Sequence, residues 1–192
     1  LPWQTHAAQS VTEFQEMIRR HGKTPIQWMD DIGVLGEHTI IGHGIFLDHH
    51  PWLHWSTRAD IGLIADHGTS VAHCPTPFSR YGITMEHFGK YLEEGVNLGI
   101  GTDTHPHNML EEMRTAAIMG RVAAQNMHAL STTNIFNAAT IGGARALQRD
   151  DLGKLDVGAR ADVVSIALDD PTMMPVYDPI RSLIYTAADR AV

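Results

Sequence analysis

The segment VNLGIGTD, residues 96–103, is an apolar, glycine-containing run that ends in a carboxylate, and it decides the fold prediction. Three earlier segments have the same form: WQTH ends at His6, TIIGH at His43 and SVAH at His73. The four terminal polar residues are 37, 30 and 30 positions apart. Such intervals fit one strand, one helix and two loops, so the spacing predicts repeated βα units and a parallel sheet.

Helical patterns with apolar residues three and four apart lie between and after these segments. The expected helices end at Gly22, Gly68 and Gly95, begin at Pro25, and cover about residues 109–127 and 132–147. Ser131 directly precedes the last of them and is a suitable N-cap.

Four βα units make half of an eight-unit barrel, and complete barrels rarely have fewer than about 200 residues. The 192-residue chain is therefore expected to have an α/β fold. We expect it to form the C-terminal half of a (β/α)8 TIM-type barrel, which contains strands five to eight. The alternative is an open α/β sheet. Residues 1–152 are assigned to the partial barrel. Residues 153–192 change to a glycine-punctuated, β-rich pattern and are assigned to the start of a small β-sandwich element and a tail.

The amino-acid composition argues against a nucleic-acid partner, an intrachain disulfide and a membrane partner. The 14 Lys and Arg residues against 22 Asp and Glu, a formal net charge of −8, argue against a nucleic-acid partner. Cys74 is the only cysteine, which excludes an intrachain disulfide and suits a cytoplasmic location. No apolar run has the length of a membrane span, and the first residues lack the features of a secretory signal, so no membrane partner is expected.

Histidines at strand ends are the candidate metal and catalytic residues. His43 lies between Gly42 and Gly44, which allow close backbone packing while the imidazole faces the strand end. A lone histidine at the position of His6 is more often a hydrogen-bonded structural residue, so its assignment rests on its companions. His73 is expected near the site, supporting it or contacting substrate.

Asp103 is the most informative single position. A carboxylate directly after an apolar strand is costly to bury unless a cation receives it, and a metal ion is the natural cation. The alternative is an N-cap for the next helix, but several residues separate Asp103 from Met109.

Loop residues after the strand ends are assigned to the substrate side. These are Thr104, His105 and Trp52. His105 and His107 have HxH spacing, but they lie on a proline-containing loop, where contact with substrate or solvent is expected.

One divalent ion held by His and Asp side chains with an open position lowers the pKa of water to about 7, and the resulting hydroxide attacks a planar carbon. Zinc is expected, with iron or manganese as alternatives. The chain contains no GxSxG elbow, P-loop, clear GxGxxG or paired-cysteine deaminase signature.

The sequence resembles the amidohydrolase superfamily, in the branch of chlorotriazine hydrolases, guanine and cytosine deaminases and S-adenosylhomocysteine deaminases. The resemblance is carried by HAAQ (6–9), GHGIFL (42–47), VAHCP (71–75), GIGTDTHPHNMLEEMR (99–114), NIFNAATIGGARAL (134–147) and GKLDVGARADVVSIAL (153–168). The last two are the most specific, since family members have such segments where the chain leaves the barrel for a small β-sandwich. The resemblance implies a metal-dependent hydrolase of a C–N or related heteroatom bond in a small cyclic compound.

Roles follow from the resemblance by position. His6 matches the family's fifth-strand metal ligand, and Asp103 its eighth-strand ligand and proton acceptor. His43 matches the sixth-strand histidine that contacts the hydrolytic water in members with one metal ion, and His73 a seventh-strand position near the site. Gln9 stands where many members carry a proton-shuttling glutamate. Glutamine can hydrogen-bond but cannot shuttle protons, so Gln9 is expected to orient substrate or water.

The family's first-strand HxH ligands have no counterpart before His6. Two alternatives therefore stay open: a catalytically incomplete fragment or assembly partner, and a metal-free α/β binding domain. Half a barrel would also expose two sheet edges, so either further barrel strands outside these residues or the contacts of a homo-oligomer are expected to cover them.

Overall fold

A computed structural model describes residues 1–86 and 88–187 of the chain. Its strands form one parallel sheet in the order β1-β2-β3-β4. The strands are β1 (Trp3–Ala7), β2 (Thr39–His43), β3 (Ser70–His73) and β4 (Asn97–Ile100). Because all strands are parallel, their carboxyl ends share one edge of the sheet. The predicted α/β fold with a parallel sheet is confirmed.

The helices connect the strands and follow the last of them. They are α1 (Val11–His21), α2 (Pro25–Asp31), α3 (Asp60–Asp66), α4 (Pro75–Ser79), α5 (Phe88–Glu93), α6 (Met109–Ala124), α7 (Thr132–Asn137), α8 (Gly143–Ala146) and α9 (Pro179–Tyr185). Helix α1 shows how nearby residues determine where a helix begins and ends. The Ser10 side chain accepts from the Glu13 amide at its start, and Gly22 ends it with a φ of 68°.

The predicted helix over 132–147 is interrupted. Ser131 caps α7 as expected, but residues Ala138–Gly142 form a π-helical turn before α8. A Cβ on Gly142 would lie 2.0 Å from the Leu98 carbonyl oxygen, so this turn packs directly on β4. The side-chain amide Nδ2 of Asn97 donates to the Gly142 carbonyl at 3.0 Å. The tight approach to the sheet accounts for the local change of helix type.

The core lies between the sheet and the helices. All five residues of β2 are buried, whereas only Ala7 of β1 is buried. Ile41 of β2 and Val71 of β3 are fully buried. Strand β2 is therefore central, and within the described part of the chain β1 pairs with β2 alone.

The segment after Leu152 differs from its prediction. Residues 153–187 contain no strand, and their regular element is the short helix α9. The apolar side chains of Leu155, Val163 and Val164 are 79%, 60% and 68% exposed and line an open groove. The β-rich sequence forms no strand here because no strand of the described residues pairs with it, and an isolated strand leaves its backbone groups unpaired. The domain boundary after residue 152 stays a prediction.

Across residues 1–86 and 88–187, none of the helices combines the length and apolar character needed to cross a membrane.

Candidate metal centre

His6 lies near the end of β1, opposite Gly42 of β2 in the parallel register. Its side chain occupies the space that a side chain at position 42 would need. A Cβ built on Gly42 would lie 2.9 Å from Cδ2 of His6. The glycine in TIIGH therefore makes room for the imidazole of the neighbouring strand.

His43 ends β2 and is 1% exposed. Its ring centroid lies 4.7 Å from that of His6 and 4.7 Å from that of Phe78. Neither ring nitrogen has a hydrogen-bond partner among the described residues. Burial lowers the pKa of His43, and His6 lowers it further, while Asp103 opposes the shift. The neutral imidazole is the form that binds a metal ion or accepts a proton.

Asp103 lies three residues beyond the end of β4, on an exposed loop, with a φ of 57°. One ligand atom from each of His6, His43 and Asp103 lies within 4.8 Å of the others. The structure thus brings together residues 97 positions apart in the sequence. Two imidazole nitrogens and a carboxylate oxygen are a donor set that suits zinc and related divalent ions. The unpartnered nitrogens of His43 also fit such an ion, because buried polar atoms normally have a partner.

His73 ends β3 and is 3% exposed, but it is not one of the three clustered residues. Burial lowers its pKa to about 3, with a smaller contribution from His43. Its Nδ1 has no partner among the described residues, and its ring packs edge-on against Phe88 at 5.6 Å. A supporting position beside the cluster stays the prediction for this residue.

Gln9 lies in the half-buried turn that follows β1. Its backbone amide donates to one oxygen of Glu13 at 2.7 Å, and the Ala8 amide donates to the other at 2.8 Å. Glu13 therefore fixes the turn directly after His6. A catalytic role for the Gln9 side chain remains a prediction.

The loop residues assigned to substrate are exposed. Trp52 is 54% exposed, and its amide donates to Nδ1 of His50 at 3.2 Å. The Thr104 hydroxyl donates to the carbonyl of His105 within its own loop. Nδ1 of His107 lies 3.0 Å from the Thr102 hydroxyl, and neither His105 nor His107 belongs to the cluster of His6, His43 and Asp103 found among the described residues. Contact of these residues with substrate stays a prediction.

Three side chains near the site were not singled out from the sequence. Phe78 packs on His43, the Tyr91 hydroxyl donates to the Gly44 carbonyl, and the Glu112 carboxylate accepts from the Thr76 amide. Glu112 follows Glu111 in the first turn of α6, so the sequence alone gives it the ordinary reading of an acidic residue at a helix start. The other two resemble ordinary core residues.

The profile described as "Amidohydrolase family" matches residues 1–192. The chain belongs to the amidohydrolase family. The resemblance seen in the sequence is thereby confirmed.

Relatives of this amidohydrolase chain include two archaeal proteins named 5-methylthioadenosine/S-adenosylhomocysteine deaminase. The protein from Thermococcus kodakarensis is 35% identical over 186 residues, 95% of this chain and 42% of the relative. The protein from Haloarcula marismortui is 35% identical over 184 residues, 94% of this chain and 40% of the relative. The chain thus spans about two fifths of the length of these curated relatives.

Solved structures of other amidohydrolase-like chains share the fold. An adenosine deaminase from Xanthomonas campestris with bound zinc superposes with a TM-score of 0.90 at 31% identity, over 100% of this chain and 43% of that one. The atrazine chlorohydrolase TrzN from Arthrobacter aurescens TC1, complexed with zinc, superposes with a TM-score of 0.85 at 27% identity. The superposition covers 100% of this chain and 41% of the chlorohydrolase chain.

Proposed function

We propose that the chain forms the C-terminal half of a (β/α)8 barrel enzyme, a metal-dependent hydrolase that uses water to break a C–N bond in a small cyclic compound. The observation that carries this proposal is the convergence of His6, His43 and Asp103, with ligand atoms within 4.8 Å of one another at the shared edge of the sheet. Catalytic groups lie at this edge in parallel α/β folds.

The proposed substrate is a nitrogen heterocycle that carries a leaving group on a ring carbon. Relatives named as deaminases of 5-methylthioadenosine and S-adenosylhomocysteine support an amino group on a purine. The likeness to an atrazine chlorohydrolase supports the same attack on a ring carbon with a different leaving group. We favour deamination, because relatives that are 33% and 35% identical to this chain carry that name.

In the proposed site, His6 and Asp103 hold one divalent ion, with zinc favoured because the related adenosine deaminase structure contains it. When bound, such an ion supplies Lewis acidity that lowers the pKa of a water molecule to about 7. The resemblance implies two further histidine ligands, which His105 and His107 do not supply, since they lie outside the cluster.

The residues of this chain orient the water and move its protons. The neutral imidazole of His43, kept so by burial, hydrogen-bonds to the attacking water from the closed side of the site. The carboxylate of Asp103, on the exposed loop, accepts the proton of the water and returns it to the leaving nitrogen. Gln9 contributes a hydrogen bond to substrate or water.

Metal analysis tests this proposal directly. The purified full-length protein that contains this chain is expected to hold near-stoichiometric zinc, iron or manganese and to release ammonia from 5′-methylthioadenosine. Asp103→Asn and His6→Ala should lower the metal content and remove the activity. His54→Ala, an exposed histidine outside the cluster, is the matched control and should change neither.

Unchanged metal content in Asp103→Asn would contradict the proposal and support a metal-free binding domain. Stoichiometric metal with no hydrolysis of adenosine derivatives or of triazines would support a non-catalytic remnant. The homo-oligomeric state and the cytoplasmic location stay predictions.

A further inference from the structure

The turn after β2 holds two successive residues in the left-handed backbone region. The φ angles are 79° at His43 and 55° at Gly44. Glycine adopts this conformation readily, whereas it is uncommon for residues with a side chain, histidine being one of the types that adopt it more often than most. Such a conformation persists at a non-glycine residue only when its surroundings enforce it. The direction of the His43 imidazole therefore depends on what holds this turn.

Backbone hydrogen bonds fix one side of the turn to the end of β1. The Gly44 amide donates to the Ala7 carbonyl at 3.2 Å. The amides of Ile45 and Phe46 both donate to the Ala8 carbonyl, at 2.9 and 2.8 Å. These bonds place the amides of the turn, but they leave the Gly44 carbonyl without a strand partner.

A side chain from another element satisfies that carbonyl. Tyr91 of α5 is fully buried, and its hydroxyl donates to the Gly44 carbonyl oxygen at 2.6 Å. Burial raises the pKa of Tyr91 well above its ordinary value, and Asp60 and Asp48 raise it further. The phenol therefore stays protonated near neutral pH and remains a donor there.

We propose that Tyr91 is a positioning residue for His43: by holding the Gly44 carbonyl, its hydroxyl enforces the backbone angles that direct the His43 imidazole toward His6 and Asp103. This inference rests on the proposed function, in which His43 orients the attacking water. Without the hydroxyl, the buried Gly44 carbonyl loses its donor, and the peptide group between Gly44 and Ile45 is held only by the Ile45 amide bond to the Ala8 carbonyl. The turn that carries the left-handed angle at His43 is then fixed on its β1 side alone.

Tyr91→Phe tests the inference, because it removes the hydroxyl and keeps the ring that packs in the core. In the full-length protein we expect kcat to fall by about tenfold to a hundredfold, as for a small misplacement of a reacting group. KM should stay within about twofold and the zinc content should be unchanged, since His6 and Asp103 remain. Tyr185→Phe is the matched control. It removes a tyrosine hydroxyl on α9 that accepts from Arg121, and it should leave kcat unchanged.

A second measurement does not require activity. In the metal-free protein, long-range 1H–15N spectra should show the ring signals of His43 shifted or broadened in Tyr91→Phe, while those of His21, exposed at the end of α1 and stacked on Trp28, stay as in wild type. Ring signals of His43 identical to those of wild type would overturn the inference and leave the proposed function intact. If His43→Ala retains full activity, the proposed role of His43 fails instead, whatever the spectra of Tyr91→Phe show.

Discussion

Gly42 is the residue that allows the imidazoles of neighbouring strands to meet. It lies opposite His6 in the register and directly before His43. Since a Cβ there would approach the His6 ring to 2.9 Å, any side chain must displace a proposed ligand.

We therefore expect Gly42→Ala to weaken zinc binding by about tenfold to a hundredfold, the range seen when the orientation of a ligand is disturbed. Competition with a chromophoric chelator measures the affinity. Gly62→Ala is the matched control, because a Cβ at Gly62 on α3 meets nothing within 4 Å. Equal affinities in Gly42→Ala and wild type would show that the His6 ring adjusts freely.

Asp60 is a fully buried carboxyl group beside a second one. Its oxygens accept from the Thr24 hydroxyl at 2.7 Å and from the Asp48 amide at 2.9 Å. Burial raises its pKa to about 7, and the nearby Asp48 carboxylate adds to the shift. The folded protein thus keeps a proton there that the unfolded chain loses near pH 4.

The protonated Asp60 carboxyl makes the stability of the folded state depend on pH. Between about pH 4 and pH 7 the folded state binds more protons than the unfolded state, so stability falls as pH rises through this window. For one proton the slope is at most about 1.4 kcal/mol per pH unit. In Asp60→Asn, the contribution of this group to the change of unfolding free energy with pH should vanish. Urea unfolding at several pH values measures this change. Asp66→Asn, at the exposed end of the same helix, should keep it.

Among the elements, the short helix α4 depends on a cap from outside itself. Its N-cap residue Cys74 makes no side-chain capping bond. Instead the Thr76 amide donates to the Glu112 carboxylate of α6 at 3.0 Å. Glu112 is 2% exposed, and burial raises its pKa. One carboxylate therefore joins the helices that follow β3 and β4.

Glu112→Ala should lower the free energy of unfolding by about 1–3 kcal/mol, because the buried Thr76 amide is left without an acceptor. Glu112→Gln retains an acceptor oxygen and should recover most of this loss. Chemical denaturation measures both. Glu111→Ala, one position earlier on α6 and less buried, is the control, expected within about 0.5 kcal/mol of wild type. A similar loss in the Ala and Gln variants would mean that the charge, and not the hydrogen bond, stabilises α4.

The elements also show where sequence reasoning succeeds. Glycine ends and serine caps are local, so Gly22 and Ser131 predicted helix ends correctly. The five-residue helix α4 was missed because it is too short for a periodic pattern. The π-helical turn was missed because it depends on contact of Gly142 with a strand more than 40 residues earlier.

At the scale of the whole molecule, the sheet has two open edges. Strands β1 and β4 each have one neighbour among the described residues. Trp3 on β1 is 41% exposed. Unpaired backbone groups beside exposed apolar side chains pair readily with other chains.

The 192-residue chain expressed alone should accordingly self-associate as its concentration rises, which sedimentation velocity can follow. Trp3→Lys places a charge on the open edge and should weaken the association. A single monomeric boundary at all concentrations would contradict this expectation.

The candidate site was predictable because it depends on topology. In a parallel sheet of sequential strands, residues that end successive strands must share one edge, and this brought His6, His43 and Asp103 together. The contact of Tyr91 with Gly44 was not predictable, since it joins residues 47 positions apart through a helix whose sequence shows only a core aromatic. The β-sandwich assignment after residue 152 depended on pairing strands that the described residues do not supply.

The sequential strand order also bears on how this enzyme family diversifies. The strands that carry the residues of the site belong to different βα repeats. The register between neighbouring strands is set by residues on the strands themselves. Mutations or insertions in one connecting loop can therefore reshape the entrance without disturbing the ligand geometry. Under the proposed function, acceptance of a different ring compound could then be selected in one loop while His6, His43 and Asp103 keep their positions.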